Sequence, residues 1–171
     1  YFIHKSFKVN ILAFVLMPNH FHLIIQTPEE NLSEAMNYFM RETSRQIGQQ
    51  ANRINHVYGG RFHRTLITSD QYFRHAYKYV YRNPVRAGLC KHVWEYPFST
   101  LGGILGATKL NIPVTEDKFI FHPAFASRTI DWLEIDSKSA QIEEIRKALR
   151  RKIFELPKKN NRSSELEFSD I

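Results

Sequence analysis

Hydrophobic and polar positions along this chain fall into a few recurring patterns, each predicting a different element. From Phe7 to Leu16, β-branched and aromatic residues dominate and predict a strand. Pro18-Asn19 makes a turn, and His20 to Gln26 forms a second strand, so the two pair as a hairpin. In that second strand Phe21, Leu23 and Ile25 share one face, while His20 and His22 share the other. From Leu32 the positions Leu32, Met36, Phe39 or Met40, Thr43, Ile47, Ala51 and Ile54 recur at three or four residues. That spacing predicts one helix of about six turns, opened by Asn31 with Glu34 three positions on.

Tyr58-Gly59-Gly60 ends this helix, and Arg61 to Ile67 alternates like a strand with neither face cleanly apolar, as at a sheet edge or facing a ligand. Thr68 and Gln71 stand at capping-box spacing before a second helix from Asp70. Pro84 disfavours helical geometry in the residue before it, so this helix is expected to end near Arg82 or Asn83. On the helical wheel Phe73, Ala76, Tyr77 and Val80 form the buried stripe. Tyr72, Tyr79 and Asn83 share the neighbouring flank, and Arg74, Lys78 and Arg82 take the opposite, solvated side. Pro84 to Gly88 reads as a short turn, and Tyr96-Pro97-Phe98-Ser99 as an irregular cover over the core.

After about Gly106 the pattern loosens. Phe119 to Phe125 and Ile130 to Leu133 are small apolar patches, and 139–156 is an amphipathic helix stopped by Pro157. Lys158 to Ile171 is polar and expected to fray. The organisation this predicts is a core over 1–105 and a helical extension over 106–171.

Composition adds three bounds. A chain of 171 residues with 43% hydrophobic content holds one real core. Cys90 stands alone, which removes disulfide frameworks and cysteine-based zinc sites and fits a reducing, cytoplasmic setting. The longest purely apolar run, Ile11 to Met17, is too short to span a bilayer. Charge is more telling. The formal net charge is +7, and the segment from Arg41 to Lys91 holds ten Lys/Arg against two acids, an excess of +8. A polyanion is the expected partner, nucleic acid before membrane.

Candidate chemistry begins with His20 and His22. Two imidazoles on one strand face can grip one metal ion, although a lone His-x-His pair more often only packs. A third ligand is needed, and Asn83 offers an amide oxygen if its helix crosses the His-bearing strand. Two imidazoles and one amide oxygen leave positions for water and phosphate, which suits Mg²⁺ or Mn²⁺ better than a closed zinc shell. Tyr79, one turn before Asn83, would then be placed to attack a phosphodiester.

Met17-Pro18-Asn19-His20-Phe21-His22-Leu23, the Arg61-Phe62 stretch, Tyr79 to Leu89 (YVYRNPVRAGL) and Tyr96-Pro97-Phe98-Ser99 together resemble the REP-associated branch of the single-tyrosine HUH transposases. The likeness runs from about Lys8 to Leu101. It implies an α/β (α+β) fold, a ferredoxin-like or RRM-like sandwich with an antiparallel sheet and helices on one face. Against that pattern the first strand and helix are missing, and this chain starts at the end of that helix.

The resemblance further implies an enzyme that nicks and transfers single-stranded DNA near hairpins through a 5′-phosphotyrosine. His20 and His22 match its metal ligands, Tyr79 its nucleophile and Asn83 its polar third ligand; Tyr81 is the rival nucleophile. Arg61, Arg64, Lys78, Arg82 and Arg86 are the expected DNA-binding cations, and the setting implied is the nucleoid in the cytoplasm. Two other readings stand beside this one. One is a domesticated protein that grips structured DNA without cutting it, and the other an unrelated metal hydrolase. For the extension three roles are open: a DNA-hairpin clamp, a homodimer contact, or a cover for an exposed sheet edge.

Overall fold

The hairpin expected from the alternating residues is the frame of the molecule. In a computed structural model, which describes residues 1–52, 57–109, 112–115 and 126–156, a short helix α1 (Phe2–Ser6) leads into β1 (Asn10–Leu16) and β2 (Phe21–Gln26). The strands pair antiparallel, with Val15 opposite His22 and Leu16 opposite Phe21. A register shift between Ile11 and Ala13 lets Leu12 and Ala13, neighbours in sequence, join the same buried cluster.

Helices α2 (Leu32–Ala51) and α3 (Asp70–Arg86) take opposite faces of this hairpin. Ile11, Leu23 and Ile25 pack with Ala35, Tyr38 and Phe39 of α2. Ala13, Val15, Met17 and Ile24 pack with Ala76, Tyr77, Val80 and Tyr81 of α3. The α+β class expected from the sequence is therefore present, but helices on one face is corrected to helices on both. Each face of the hairpin carries apolar residues, and each needs its own cover.

Among the described residues the regular sheet has two strands. The other edge of β1 is filled from later in the chain. Leu16 N–H donates to Phe98 O at 2.8 Å, Thr100 N–H to Phe14 O at 2.9 Å and Thr115 N–H to Ile11 O at 2.7 Å. Tyr96 covers this seam and donates its hydroxyl to Leu16 O at 2.8 Å. The aromatic cover thus forms, and covering a sheet edge is one of the extension's uses, through Val114–Thr115.

Several local expectations are corrected. Arg61 to Ile67 is not a strand: only Leu66 bridges, to Ile153, with Phe154 N–H donating to Leu66 O at 2.8 Å. Ser69 rather than Thr68 caps α3, accepting from Tyr72 N–H at 3.2 Å. α3 also runs past Pro84 to Arg86. Pro84 is among the fully buried residues, so burial of its ring opposes the local penalty. The helix ends instead at Gly88 (φ +70°), where Leu89 N–H donates to Pro84 O and Gly88 N–H to Val85 O. This is a Schellman closure, in which glycine takes the left-handed position without a Cβ clash.

After α4 (Leu101–Ile104), α5 (Ala126–Glu134) and α6 (Ser139–Leu149) both pack on α3. α6 is shorter than the expected 139–156; beyond it Ile153 bridges to Leu66 and Phe154 turns fully inward. The apolar patch Phe119–Phe125 and the polar tail from Lys158 lie outside the described residues.

Candidate active site

The β2 face that meets α3 carries His22, because Val15 opposite it and Ile24 two residues on belong to the α3-facing core. Alternation then sends Phe21 the other way, against Phe39 of α2 at 5.5 Å between centroids. His20, just before the strand, turns to the same side as His22. Their Nε2 atoms lie 3.1 Å apart and their rings meet edge-on.

Asn19 Oδ1, which can only accept, lies 2.6 Å from His20 Nδ1. Nδ1 therefore carries the proton shared with Asn19, and Nε2 is the ring nitrogen turned toward His22. Asn19 thus does more than form a turn, the only role read for it in the sequence. The signal was there: an amide directly before the first histidine, close enough to fix its tautomer. His22 is more enclosed. Burial first, and the neighbouring His20 second, push its imidazole down to about 4, so it is neutral at ordinary pH. His22 is therefore in the neutral form that metal ligation requires.

The separation of the two Nε2 atoms fits a cation. Two ligands at about 2.1 Å from one octahedral ion, at right angles, stand about 3.0 Å apart. That is close to the observed 3.1 Å. No group of three His, Cys, Asp or Glu surrounds this point among the described residues, so further ligands would be amide, water or phosphate oxygens.

α3 brings Tyr79 to the pair. Its half-buried ring lies edge-on to His22, 5.8 Å between centroids and 88° between planes. No hydrogen bond among the described residues uses its hydroxyl. The rival, Tyr81, points elsewhere. It is 1% exposed, shares a 2.8 Å hydrogen bond with Thr100 Oγ1, and burial pushes its phenol up to about 12. Asn83 is buried one turn beyond Tyr79 and donates Nδ2–H to Tyr79 O at 2.9 Å. That bond holds the amide nitrogen and leaves its oxygen as an acceptor.

The expected cations divide. Arg61 and Arg64 are exposed and line a groove of about 610 Å³ against α2, with Ser33, Asn37 and Phe62. Lys78 and Arg82 do not face solvent, which corrects the solvated side of the wheel. α5 covers that side: Lys78 sits over Trp132, and Arg82 donates to Leu133 O and Glu134 O and pairs with Asp136 at 3.2 Å. Arg86 lies over the Tyr79 ring, its guanidinium carbon 5.7 Å from the centroid.

The family of IS200-like transposases matches residues 1–83. The chain is 32% identical over 96 residues to a REP-associated tyrosine transposase of Escherichia coli, covering 56% of this chain and 55% of that protein. It is 27% identical over 107 residues to a Haemophilus influenzae protein provisionally given the same name, covering 56% and 61%. The chain therefore spans little more than half the length of these curated relatives. A solved REP-associated tyrosine transposase bound to a REP hairpin superposes with a TM-score of 0.51 at 26% identity, covering 68% of this chain and 71% of that one.

Proposed function

Starting from a chain whose residues 1–83 match the IS200-like transposase family, we propose that this protein is a REP-associated tyrosine transposase. It nicks single-stranded DNA beside hairpins and transfers the cut strand, with Tyr79 as nucleophile. The observation that carries this reading is the contact of the Tyr79 ring with His22, on the face where the two histidine Nε2 atoms lie 3.1 Å apart.

In the reaction Tyr79 Oη forms a bond to the phosphorus, and the bond from phosphorus to the 3′-oxygen breaks. The phenol loses its proton to solvent, and the departing 3′-oxygen takes one up as a hydroxyl. A 5′-phosphotyrosine results, and it keeps one phosphodiester-type bond for the one broken. Attack by another 3′-hydroxyl reverses the step and releases Tyr79, so rejoining needs no ATP. Tyr81 is unsuited, because its hydroxyl is buried on Thr100.

His20 and His22, through Nε2, would hold Mg²⁺ or Mn²⁺, with Asn83 Oδ1 as third ligand. Such an ion polarises the phosphate and stabilises charge as it develops. Asn19 fixes the His20 tautomer needed for this, and Arg61 and Arg64 track the single strand beside the hairpin.

The test is covalent capture. A REP hairpin with single-stranded tails, incubated with the protein and Mg²⁺ or Mn²⁺, is expected to give a detergent-resistant protein–DNA adduct that Tyr79→Phe abolishes. Hairpin binding with no adduct from the wild-type protein would refute strand transfer and favour a non-catalytic DNA-binding relative.

A further inference from the structure

Arg86 is placed unlike any other cation around the site. Its side chain is 11% exposed, and its guanidinium lies over the Tyr79 ring, yet its Nε and Nη1 are buried with no hydrogen-bond partner among the described residues. Burying unpaired N–H groups of a charged side chain is costly, so a fold keeps them where a ligand completes them. Arg82, one turn earlier, is more fully used: its Nη1 donates to the Leu133 and Glu134 carbonyls at the end of α5, and its Nε, which makes no hydrogen bond among the described residues, lies against a carboxylate.

One carboxylate links the two. Asp136 Oδ1 lies 3.2 Å from Arg82 Nε and 3.5 Å from Arg86 Nη2. Two guanidiniums against one carboxylate leave a positive charge uncompensated, and the unpaired donors put it on Arg86, beside Tyr79. Asp136 stands well beyond the family-matched residues 1–83. It also follows α5, the helix that buries Lys78 and Arg82, so its place is set by the docking of the extension on α3.

We propose that Asp136 is a positioning residue: it holds Arg86 over Tyr79 so that the unpaired guanidinium N–H groups clamp a non-bridging oxygen of the phosphate being cut. The inference rests on the strand-transfer reading above and deepens it. Arg86 acts directly on the phosphate, and Asp136 acts through Arg86. Guanidinium suits the task because it offers several donors in a fixed plane, whereas an ammonium is a single point charge.

The test exploits a sign. Removing an acid from a basic protein should tighten its grip on DNA if only net charge counts, whereas losing the support of Arg86 should loosen it. Binding of a fluorescent REP hairpin with short single-stranded tails is measured against salt for the full chain. Arg86→Gln is expected to weaken binding about tenfold and to reduce the salt slope by about 0.7, the share of one phosphate contact on a single strand.

Asp136→Asn is expected to weaken binding several-fold although the protein becomes more basic, and Asp136→Glu to retain most of the affinity. In an Arg86→Gln background, Asp136→Asn should no longer weaken binding. That background separates positioning from general damage to the fold, because damage would persist in it. Unchanged or tighter binding by Asp136→Asn alone, or equal losses in both backgrounds, would overturn the proposal. A wild-type protein that does not bind the oligonucleotide at all would sink the transposase reading itself.

Discussion

Two tyrosines two residues apart on one helix give the sharpest test of the site, since the structure assigns them opposite liabilities. Tyr79 offers a hydroxyl with no hydrogen-bond partner among the described residues, on a half-buried ring against His22. Tyr81 offers a fully buried hydroxyl on Thr100 Oγ1, which also accepts from Phe14 N–H at 3.0 Å and donates to Phe14 O at 3.2 Å. Removing the Tyr79 hydroxyl breaks no hydrogen bond among the described residues, so Tyr79→Phe should alter stability by less than about 0.5 kcal/mol. Removing the Tyr81 hydroxyl breaks its buried bond to Thr100 and its interaction with Tyr77, and leaves Thr100 its two backbone partners. The cost is about 1–2 kcal/mol, or about 2–8 °C in melting temperature for a chain of this size.

The two readouts should cross. Adduct formation on a tailed hairpin should vanish in Tyr79→Phe and persist in Tyr81→Phe, while urea or thermal unfolding should show the reverse order. An adduct that survives Tyr79→Phe, or one lost in Tyr81→Phe at unchanged stability, refutes the assignment of the nucleophile. A large destabilisation by Tyr79→Phe would refute the geometry beneath it.

Three further outcomes are expected. Phe154→Ala empties a fully buried position against Tyr72 and should cost about 3–5 kcal/mol in urea unfolding; a cost under about 1 kcal/mol would mean the extension does not brace α3. Lys78, pushed down to about 8 from 10.5 mainly by burial, binds its proton less tightly folded than unfolded. Its contribution to stability should therefore be full above about pH 10.5 and be lost as pH falls through about 8, on the order of 2 kcal/mol; Lys78→Met should flatten the rise between pH 8 and 10, the window before Tyr81 begins to act in the opposite sense. Mn²⁺ or Mg²⁺ at a hundredfold excess over its dissociation constant should raise unfolding stability by about 2.7 kcal/mol in the wild-type protein. Neither His20→Ala nor His22→Ala should show that gain, and a chelator should stop adduct formation in the wild-type protein.

What could be read from the sequence was whatever local periodicity encodes. Alternation in Phe21-His22-Leu23-Ile24 is a two-residue signal, so the hairpin and the shared side of the histidines were legible. The helical wheel was equally reliable for Tyr77, Tyr79 and Tyr81 relative to one another, since those angles follow from the 3.6-residue turn. It failed for Lys78 and Arg82. The wheel knows only hydrophobicity, and these cations are buried because Trp132 and the backbone carbonyls of Leu133 and Glu134 arrive from about fifty residues later. Pro84 misled in the same way, since a local steric preference was overridden by burial of its ring. Arg61 to Ile67 alternates like a strand, but an extended segment becomes a strand only with a partner along its length, and Leu66 alone finds one. Asn19 and Asp136 were missed because a fixed tautomer and a long-range ion pair leave no periodic trace.

The docking of α5 and Phe154 on α3 has a consequence for any attempt to excise the N-terminal part of the chain. The family match ends at residue 83, inside α3 and shortly before its last residue, Arg86. Cutting the polypeptide near residue 105 would strip Arg82 of the carbonyls that hold its charge and uncover the floor beneath Tyr72. The edge of a family match is therefore not an edge of packing: α3 is clamped from the C-terminal side by α5, α6 and Phe154.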